Sequence, residues 1–241
     1  LTSYIIHLER AVDRKGNVEQ LAKQLPGKVV VVDAVDCKQA NFEKLKTSNY
    51  FRKLFNPKYP FDLRDAEVAC FLSHKAVWQN LIDSGEDYCL IVEDDVVLEM
   101  DAFKNALNVA IQSDCKNSYI RFSVKPREKQ AEIILKSNQT ELFSPKVIGL
   151  GTQAQVIGKS AALQLLEEFK SFDRPIDSSL QLFWQTKIKP FVVYPSGVSE
   201  ISNELGGSTI GAKKSIRNTI FREVMRPLYR LKIKLYSIIN G

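Results

Sequence analysis

The chain has 241 residues, 44% of them hydrophobic and 26% charged, which is the balance of an ordinary globular protein and excludes a disordered or fibrous one. Its four cysteines follow no C-x-x-C spacing, which argues against a zinc ribbon or a disulfide framework and favours a reducing compartment. No apolar run reaches about 18 residues, and residues 1–4 lack the pattern of a signal peptide. We therefore expect a cytoplasmic protein without a membrane span.

The net charge of +6 is unevenly distributed along the chain. Residues 213–241 contain eight Lys or Arg and one acid, a net charge of +7, so that residues 1–212 sum to −1. This asymmetry divides the chain into a nearly neutral body, residues 1–212, and a basic tail, residues 213–241.

The first part of the chain has the pattern of a parallel βαβ unit. A strand, a helix and a second strand are predicted at residues 4–8, 17–25 and 29–32. Ligands of parallel sheets bind beyond the carboxyl ends of the strands. We therefore expect nucleotide contacts from residues 33–36, including Asp33 and Asp36, after the second strand, and from the start of the loop that follows Leu8 after the first.

Further elements follow in an order typical of an α/β domain. Helices are predicted at 65–82, 101–111 and 159–169, strands at 88–92, 119–122 and 188–194, and a hairpin or strand at 147–157. Residues 41–64 read as a loop-rich insertion that covers the site, and residues 125–140 as a charged surface excursion with a possible edge strand at 133–135. Residues 203–211 have the Gly/Ser/Thr-rich composition of a loop that closes over a ligand.

The stretch at residues 88–98 is where we place the chemistry. An apolar strand ends in three consecutive carboxylates, Glu93, Asp94 and Asp95, and three apolar residues follow. Adjacent buried anions repel one another and are costly to desolvate unless a cation lies among them. Mg²⁺ or Mn²⁺ would suit these oxygens and would also hold a substrate's phosphates. The alternative is a solvated acidic turn.

Six motifs occur together in one order: Y-I-I-H-L-E-R from residue 4, E-V-A-C-F-L-S-H from 67, Trp78, I-V-E-D-D-V from 91, G-T-Q-A-Q from 151 and P-I-D from 175. In these motifs the chain resembles glycosyltransferase family 25, the lipopolysaccharide or lipooligosaccharide galactosyl- and glucosyltransferases of Gram-negative bacteria, over about residues 3–211. The resemblance implies a GT-A-like single α/β domain with a mainly parallel central sheet flanked by helices, a UDP-sugar donor, a divalent metal and an inverting mechanism.

The resemblance also suggests roles for individual residues. It implies that Asp95 and Glu93 bind Mn²⁺ or Mg²⁺ and that Asp177 is the general base, although Pro-x-Asp is also a helix N-cap pattern. The other expected donor contacts are His7, Asp33, Asp36, His74, Asp94, Gln153 and Gln155. For His74 the alternative is a buried, hydrogen-bonded helix histidine, and for the two glutamines it is ordinary surface polarity.

The basic tail has apolar residues near helical spacing between its Lys and Arg residues, with Pro227 expected to kink or divide the helix. Such a helix is typical of binding to anionic membranes, and the alternative is a C-terminal helix docked on the body. No stacking-aromatic pattern or motif supports nucleic acid as a partner.

The expected function is transfer of a hexose, galactose in the first place, from a UDP-sugar to a lipooligosaccharide acceptor at the inner face of the inner membrane. The alternatives are a glucosyltransferase of the same pathway, a glycoside hydrolase, which also needs two carboxylates, and a membrane-bound non-catalytic scaffold.

Overall fold

The computed structural model describes residues 1–125, 128–201 and 216–240. The strands are β1 (Thr2–His7), β2 (Lys28–Asp33), β3 (Tyr88–Glu93), β4 (Val96–Leu98), β5 (Tyr119–Phe122), β6 (Gln130–Ser137), β7 (Thr140–Pro145), β8 (Ala154–Gly158), β9 (Phe191–Tyr194) and β10 (Val198–Glu200). The helices are α1 (Lys15–Gln24), α2 (Phe42–Asn49), α3 (Asp65–Ser84), α4 (Met100–Gln112), α5 (Lys159–Glu168), α6 (Ile176–Leu180), α7 (Phe183–Thr186) and α8 (Ile216–Asn240).

The described residues form a central sheet of eight strands in the order β2-β1-β3-β8-β5-β9-β7-β6. The pairings give six of these strands one direction, with β7 and β8 running the opposite way. Helices α3 and α5 pack on one face of the sheet, and α1 and α4 pack on the other. The predicted α/β architecture with a mainly parallel central sheet is therefore confirmed.

The parallel pairing of the first three strands determines where the site lies. Strand β1 is buried along its whole length and pairs in parallel with β2 on one side and β3 on the other. In this register His7 lies opposite Asp33, and Ile6 lies opposite Glu93. The predicted polar residues at three strand ends therefore meet at one edge of the sheet.

Some predicted boundaries are wrong for identifiable reasons. Residues 41–64 are not all loop, because 42–49 form α2, whose single buried residue, Phe42, leaves a weak helical pattern in the sequence. The prediction missed β7, which is buried by pairing with distant β9. Of the hairpin or strand predicted at 147–157, only the part from Ala154 onward forms a strand, β8. The edge strand predicted at 133–135 is confirmed, because it lies within β6 at the edge of the sheet.

The tail forms the expected helix, which continues through Pro227 instead of dividing there. One face of this helix docks on the body, as the alternative reading anticipated, through the buried residues Tyr229 and Ile233. Arg174 is fully buried and donates a 2.7 Å hydrogen bond from Nη1 to the Tyr229 hydroxyl. The predicted loop at 203–211 and the predicted division at 212/213 lie outside the described residues.

Among the described helices none combines the length and the apolar character that crossing a bilayer requires.

Candidate active site

A cavity of about 140 Å³ lies at the sheet edge where β1, β2 and β3 end. The chain segments that follow β1 and β2, helix α3 and the three consecutive carboxylates line this cavity. It brings together five of the predicted site residues, which are Asp36, His74, Glu93, Asp94 and Asp95.

Asp94 is held by two side chains of the protein itself, the guanidinium of Arg14 and the imidazole of His7. Arg14 donates from Nη1 to Asp94 Oδ1 at 2.5 Å, and His7 Nδ1 lies 2.7 Å from Asp94 Oδ2. The Asn17 amide donates to the backbone carbonyls of Asp94 and Val96, which fixes the turn between β3 and β4. With both carboxylate oxygens engaged and only 5% of the residue exposed, Asp94 is a structural anchor of the motif.

Arg14 also compensates the charge of the neighbouring carboxylate, Asp95. Arg14 Nη1 also lies 3.6 Å from Asp95 Oδ2, so its guanidinium group stands between two of the three carboxylates. The cation that the acidic motif needs in order to fold is therefore supplied by the chain. Repulsion among the carboxylates is therefore no argument for a bound metal. A metal must be argued from the carboxylate oxygens that have no partner in the protein.

Glu93 Oε1 has two side-chain neighbours within hydrogen-bonding distance, Thr152 and His74. The Thr152 hydroxyl donates to Glu93 Oε1 at 2.7 Å, and His74 Nε2 lies 3.1 Å from the same oxygen. Burial would raise the pKa of the Glu93 carboxyl, but the hydrogen bonds from His74 and Thr152 and the charge of Arg14 outweigh it, and the pKa is lowered. Glu93 is therefore held as a carboxylate.

Asp95 is the carboxylate with an open position. Its Oδ1 is buried and has no hydrogen-bond partner. Burial and the neighbouring charge of Glu93 raise the pKa of Asp95 to about 7, although Arg14 opposes the shift. A buried, unpartnered carboxylate oxygen beside Glu93 fits a hard cation, since Mg²⁺ is usually held by one or two carboxylates together with substrate phosphates.

A buried arginine orders the loop that supplies Thr152. Arg121 of β5 donates from Nε to the Gly151 carbonyl at 3.0 Å and from Nη2 to the Leu150 carbonyl at 2.9 Å. Its guanidinium also pairs with the buried carboxylate of Glu128. Gly151 has a φ of 110°, a conformation that favours glycine. The G-T-Q segment is thereby fixed against the end of β3.

Asp177 lies in the first turn of α6, and the N-cap position is occupied by Pro175. The N-cap alternative for Asp177 is therefore wrong. Its Oδ1 accepts a 2.6 Å hydrogen bond from the backbone of Ser178. Burial raises the pKa of Asp177, while the hydrogen bonds from Ser178 and Gly151 and the charge of Arg121 reduce the shift. This is a partly exposed carboxylate with enhanced basicity, as a general base requires.

The remaining predicted donor residues lie in different surroundings. His7 and Asp33 line a second cavity of about 250 Å³ beside α1. The backbone carbonyl of Gln153 accepts a hydrogen bond from the Glu93 amide. Gln155 is fully buried, with its amide Nε2 3.0 Å from His74 Nδ1. His74 itself is fully buried, as its alternative reading anticipated, and it also lines the first cavity.

Three residues that organise the site were missed by the sequence analysis, namely Arg14, Arg121 and Thr152. A signal was available for Arg121, because an arginine inside the apolar strand Y-I-R-F must be paired when it is buried. Arg14 had no such signal, because it stands in a polar segment whose approach to Asp94 is a product of the fold.

Comparison of the sequence with known proteins finds glycosyltransferases, in agreement with the resemblance seen in the motifs. The sequence model of glycosyltransferase family 25 (LPS biosynthesis protein) matches residues 1–180, three quarters of the chain. Procollagen galactosyltransferase 2 of Homo sapiens is 32% identical over 137 residues, which cover 52% of this chain and 22% of that protein. The lacto-N-neotetraose biosynthesis glycosyltransferase LgtE of Neisseria meningitidis is 27% identical over 113 residues, covering 44% of this chain and 40% of that protein.

These matches span less than half the length of both relatives. Among solved structures, a glycosyltransferase involved in the glycosylation of the major capsid of PBCV-1 aligns with 70% of this chain and 64% of its own. Its TM-score of 0.34 and identity of 12% are too low to support an argument about this chain.

Because Asp94 and Asp95 have different surroundings, replacing each of them with Asn should change the stability of the protein in opposite directions. The folded-state pKa of Asp95, about 7, lies above its ordinary value of 3.8, so its ionisation opposes folding increasingly as the pH rises from about 4 to 7, and fully above 7. Asp95→Asn should therefore stabilise the metal-free protein at pH 8 by about 1 kcal/mol or more, roughly 2–4 °C in Tm, and less at pH 5.

Asp94→Asn is the matched control, and it should destabilise the protein by about 1.5–3 kcal/mol, because Arg14 loses its short charged hydrogen bond to Asp94 and keeps only the carboxylate of Asp95 at 3.6 Å. Thermal unfolding in EDTA at pH 5 and pH 8 measures both effects. A Tm of Asp95→Asn below that of the wild type at pH 8 would contradict the conclusion that ionisation of Asp95 opposes folding.

Proposed function

Because the chain belongs to glycosyltransferase family 25 and is therefore a transferase, we propose that it moves a hexose from a UDP-sugar to a sugar of a lipooligosaccharide or lipopolysaccharide acceptor. Galactose is the proposed hexose, supported by the human relative, a procollagen galactosyltransferase, and glucose is the alternative. The acceptor class is supported by the family's description as LPS biosynthesis proteins and by the Neisseria relative.

The observation that carries this proposal is the unpartnered, buried Oδ1 of Asp95 at a cavity beyond the ends of parallel strands. In parallel sheets such a position is where nucleotides bind. We propose that Asp95, with Glu93, holds Mn²⁺ or Mg²⁺ together with the donor diphosphate. Such a cation, when bound, neutralises the charge that grows on the departing UDP. Asp36 and the backbone after β2 line the same cavity and are the proposed nucleoside contacts.

The proposed mechanism is a single displacement with inversion. The acceptor hydroxyl oxygen attacks the anomeric carbon from the side opposite UDP, the carbon–oxygen bond to UDP breaks, and Asp177 takes the hydroxyl proton. Asp177 suits this role because its pKa is raised while it remains partly exposed. Asp94 does not, because both of its oxygens already bind Arg14 and His7.

Removal of the metal tests the first part of the proposal. EDTA should abolish formation of UDP from UDP-galactose in the presence of a lipooligosaccharide acceptor, and added Mn²⁺ or Mg²⁺ should restore it. Asp95→Asn should lower turnover about 100-fold or more even at saturating Mn²⁺, because metal stabilisation of the transition state contributes several kcal/mol. Asp101→Asn, which changes an exposed carboxylate on α4, is the control and should retain full activity. Full activity in EDTA would refute metal dependence.

Asp177→Asn tests the base. We expect kcat to fall by about 10²–10⁴-fold, with the Kd for the UDP-sugar nearly unchanged, because the residue contacts the acceptor proton and not the donor. Glu167→Gln, which makes the same carboxylate-to-amide change at an exposed position of α5, is the control and should retain kcat. Turnover, calorimetric binding and Tm should be measured for both variants. If Asp177→Asn keeps its kcat, the base is elsewhere.

We propose that α8 attaches the enzyme to an anionic membrane surface, at the inner face of the inner membrane. The face of α8 turned away from the body carries an apolar stripe, defined by Val224, Leu228, Leu231, Leu235 and Ile238, each about half exposed or more. Exposed basic side chains flank the stripe, with Arg230 and Lys234 on one side of it and Lys232 on the other. An apolar face flanked by basic residues suits the boundary between headgroups and acyl chains.

Substitutions in the stripe test the membrane proposal without undocking the helix. Changing Leu228, Leu231 and Leu235 together to Gln should weaken flotation with anionic vesicles at least about tenfold, since each leucine contributes roughly 1.5–3 kcal/mol when buried. The control changes the exposed residues Ile133, Ile134 and Leu163 to Gln and should float like the wild type. Equal flotation of the two variants would refute the proposal.

A further inference from the structure

Three side chains in the cavity combine a thiol, an imidazole and a carboxylate, and only the carboxylate, Glu93, has a part in the proposed sugar transfer. Cys70, His74 and Glu93 present a sulfur, a ring nitrogen and a carboxylate oxygen that all lie within 4.8 Å of one another. Cys70 and His74 are four residues apart on α3 and therefore lie on the same face of the helix. Glu93 approaches them from the end of β3. This thiol, imidazole and carboxylate set is a combination of side chains that transition metals bind.

A second, independent observation concerns Gln155, which is fully buried behind His74. Its Nε2 lies 3.0 Å from His74 Nδ1, while its Oε1 is buried without a partner. A half-turn of the amide brings Oε1 to His74 Nδ1, which then carries the ring proton. Metal-binding histidines characteristically donate their second ring N–H to an oxygen in this way, which fixes the tautomer.

In that tautomer the lone pair of His74 Nε2 faces Glu93 Oε1, 3.1 Å away, with the Cys70 sulfur close to both. A lone pair directed at a carboxylate is repulsive unless a cation lies between them. The half-turn gives the Gln155 oxygen a partner in the His74 ring proton and moves the amide NH2 to the position that the oxygen left. It also ends the donation from His74 Nε2 to Glu93 and makes the Nε2 lone pair available to a metal.

We propose that Cys70, His74 and Glu93 bind a thiophilic divalent cation such as Zn²⁺, with Gln155 as the residue that orients His74. Thiolate and imidazole ligands favour Zn²⁺ over Mg²⁺, which prefers oxygen, so this site differs in chemistry from the one proposed at Asp95, although Glu93 belongs to both. Cys70 binds as the thiolate and its proton passes to solvent. Three protein ligands leave a fourth position for water or a ligand oxygen from the cavity.

Cobalt substitution provides a direct test. The full chain, freed of metal with EDTA, is titrated with Co²⁺, which reports a thiolate ligand through charge-transfer absorption in the near ultraviolet. We expect the band to saturate at one Co²⁺ per chain and to disappear when Zn²⁺ is added. Cys70→Ser should lose the band, and Gln155→Ala should weaken Co²⁺ binding by about 10–100-fold. Cys37→Ser, which changes another cysteine of the same cavity, is the control and should keep it.

The proposal is overturned if the wild type shows no such band, if Cys70→Ser retains it, or if Cys37→Ser loses it. Should Cys70→Ser fail to fold, alkylation of the wild type gives a second readout, in which Zn²⁺ must slow modification of Cys70 but not of Cys37. Equal rates with and without Zn²⁺ at Cys70 would also overturn it. Neither readout depends on sugar transfer, so failure here leaves the proposed transferase function untouched.

Discussion

The contact of Asp94 with Arg14 and His7 is the interaction on which the acidic motif depends. His7 ends β1, Arg14 lies in the turn before α1, and Asp94 follows β3, so the contact forms only when β1 and β3 pair in parallel. It places the guanidinium of Arg14 and the imidazole of His7 where three carboxylates lie close together. Without them the turn after β3 would carry buried anions with no compensation, which is a large cost in a low-dielectric interior.

The three consecutive carboxylates consequently differ in what they can do. Asp94 is fully engaged and anchors the turn, while Glu93 is held ionised by His74 and Thr152. Asp95 alone retains a buried oxygen without a partner and has a pKa raised to about 7. The sequence E-D-D alone does not distinguish the three carboxylates as metal ligands. Their surroundings in the fold do, because Asp95 has the buried oxygen without a partner.

The helices and strands with a strong local pattern were predictable from sequence, and the contacts between residues far apart in the sequence were not. Apolar runs such as residues 88–92 and the helical period of 65–82 gave elements that the structure confirms, because those patterns are fixed by burial along one element. Strand β7 was missed because its burial comes from distant β9. Arg14 and Thr152 were missed for the same reason, since their partners stand 80 and 59 residues away. The carboxylates were identified because they are adjacent in sequence.

The central claim is that Arg14 compensates the charge of the acidic motif and that Asp95 keeps one oxygen open for a metal held jointly with the donor. Mn²⁺ binding, followed by the electron paramagnetic resonance signal of free Mn²⁺ with and without UDP, tests this most directly. We predict weak binding to the protein alone, much tighter binding with UDP, and loss of the UDP-dependent gain in Asp95→Asn. Equally tight binding without UDP, or an undiminished gain in Asp95→Asn, would contradict the account.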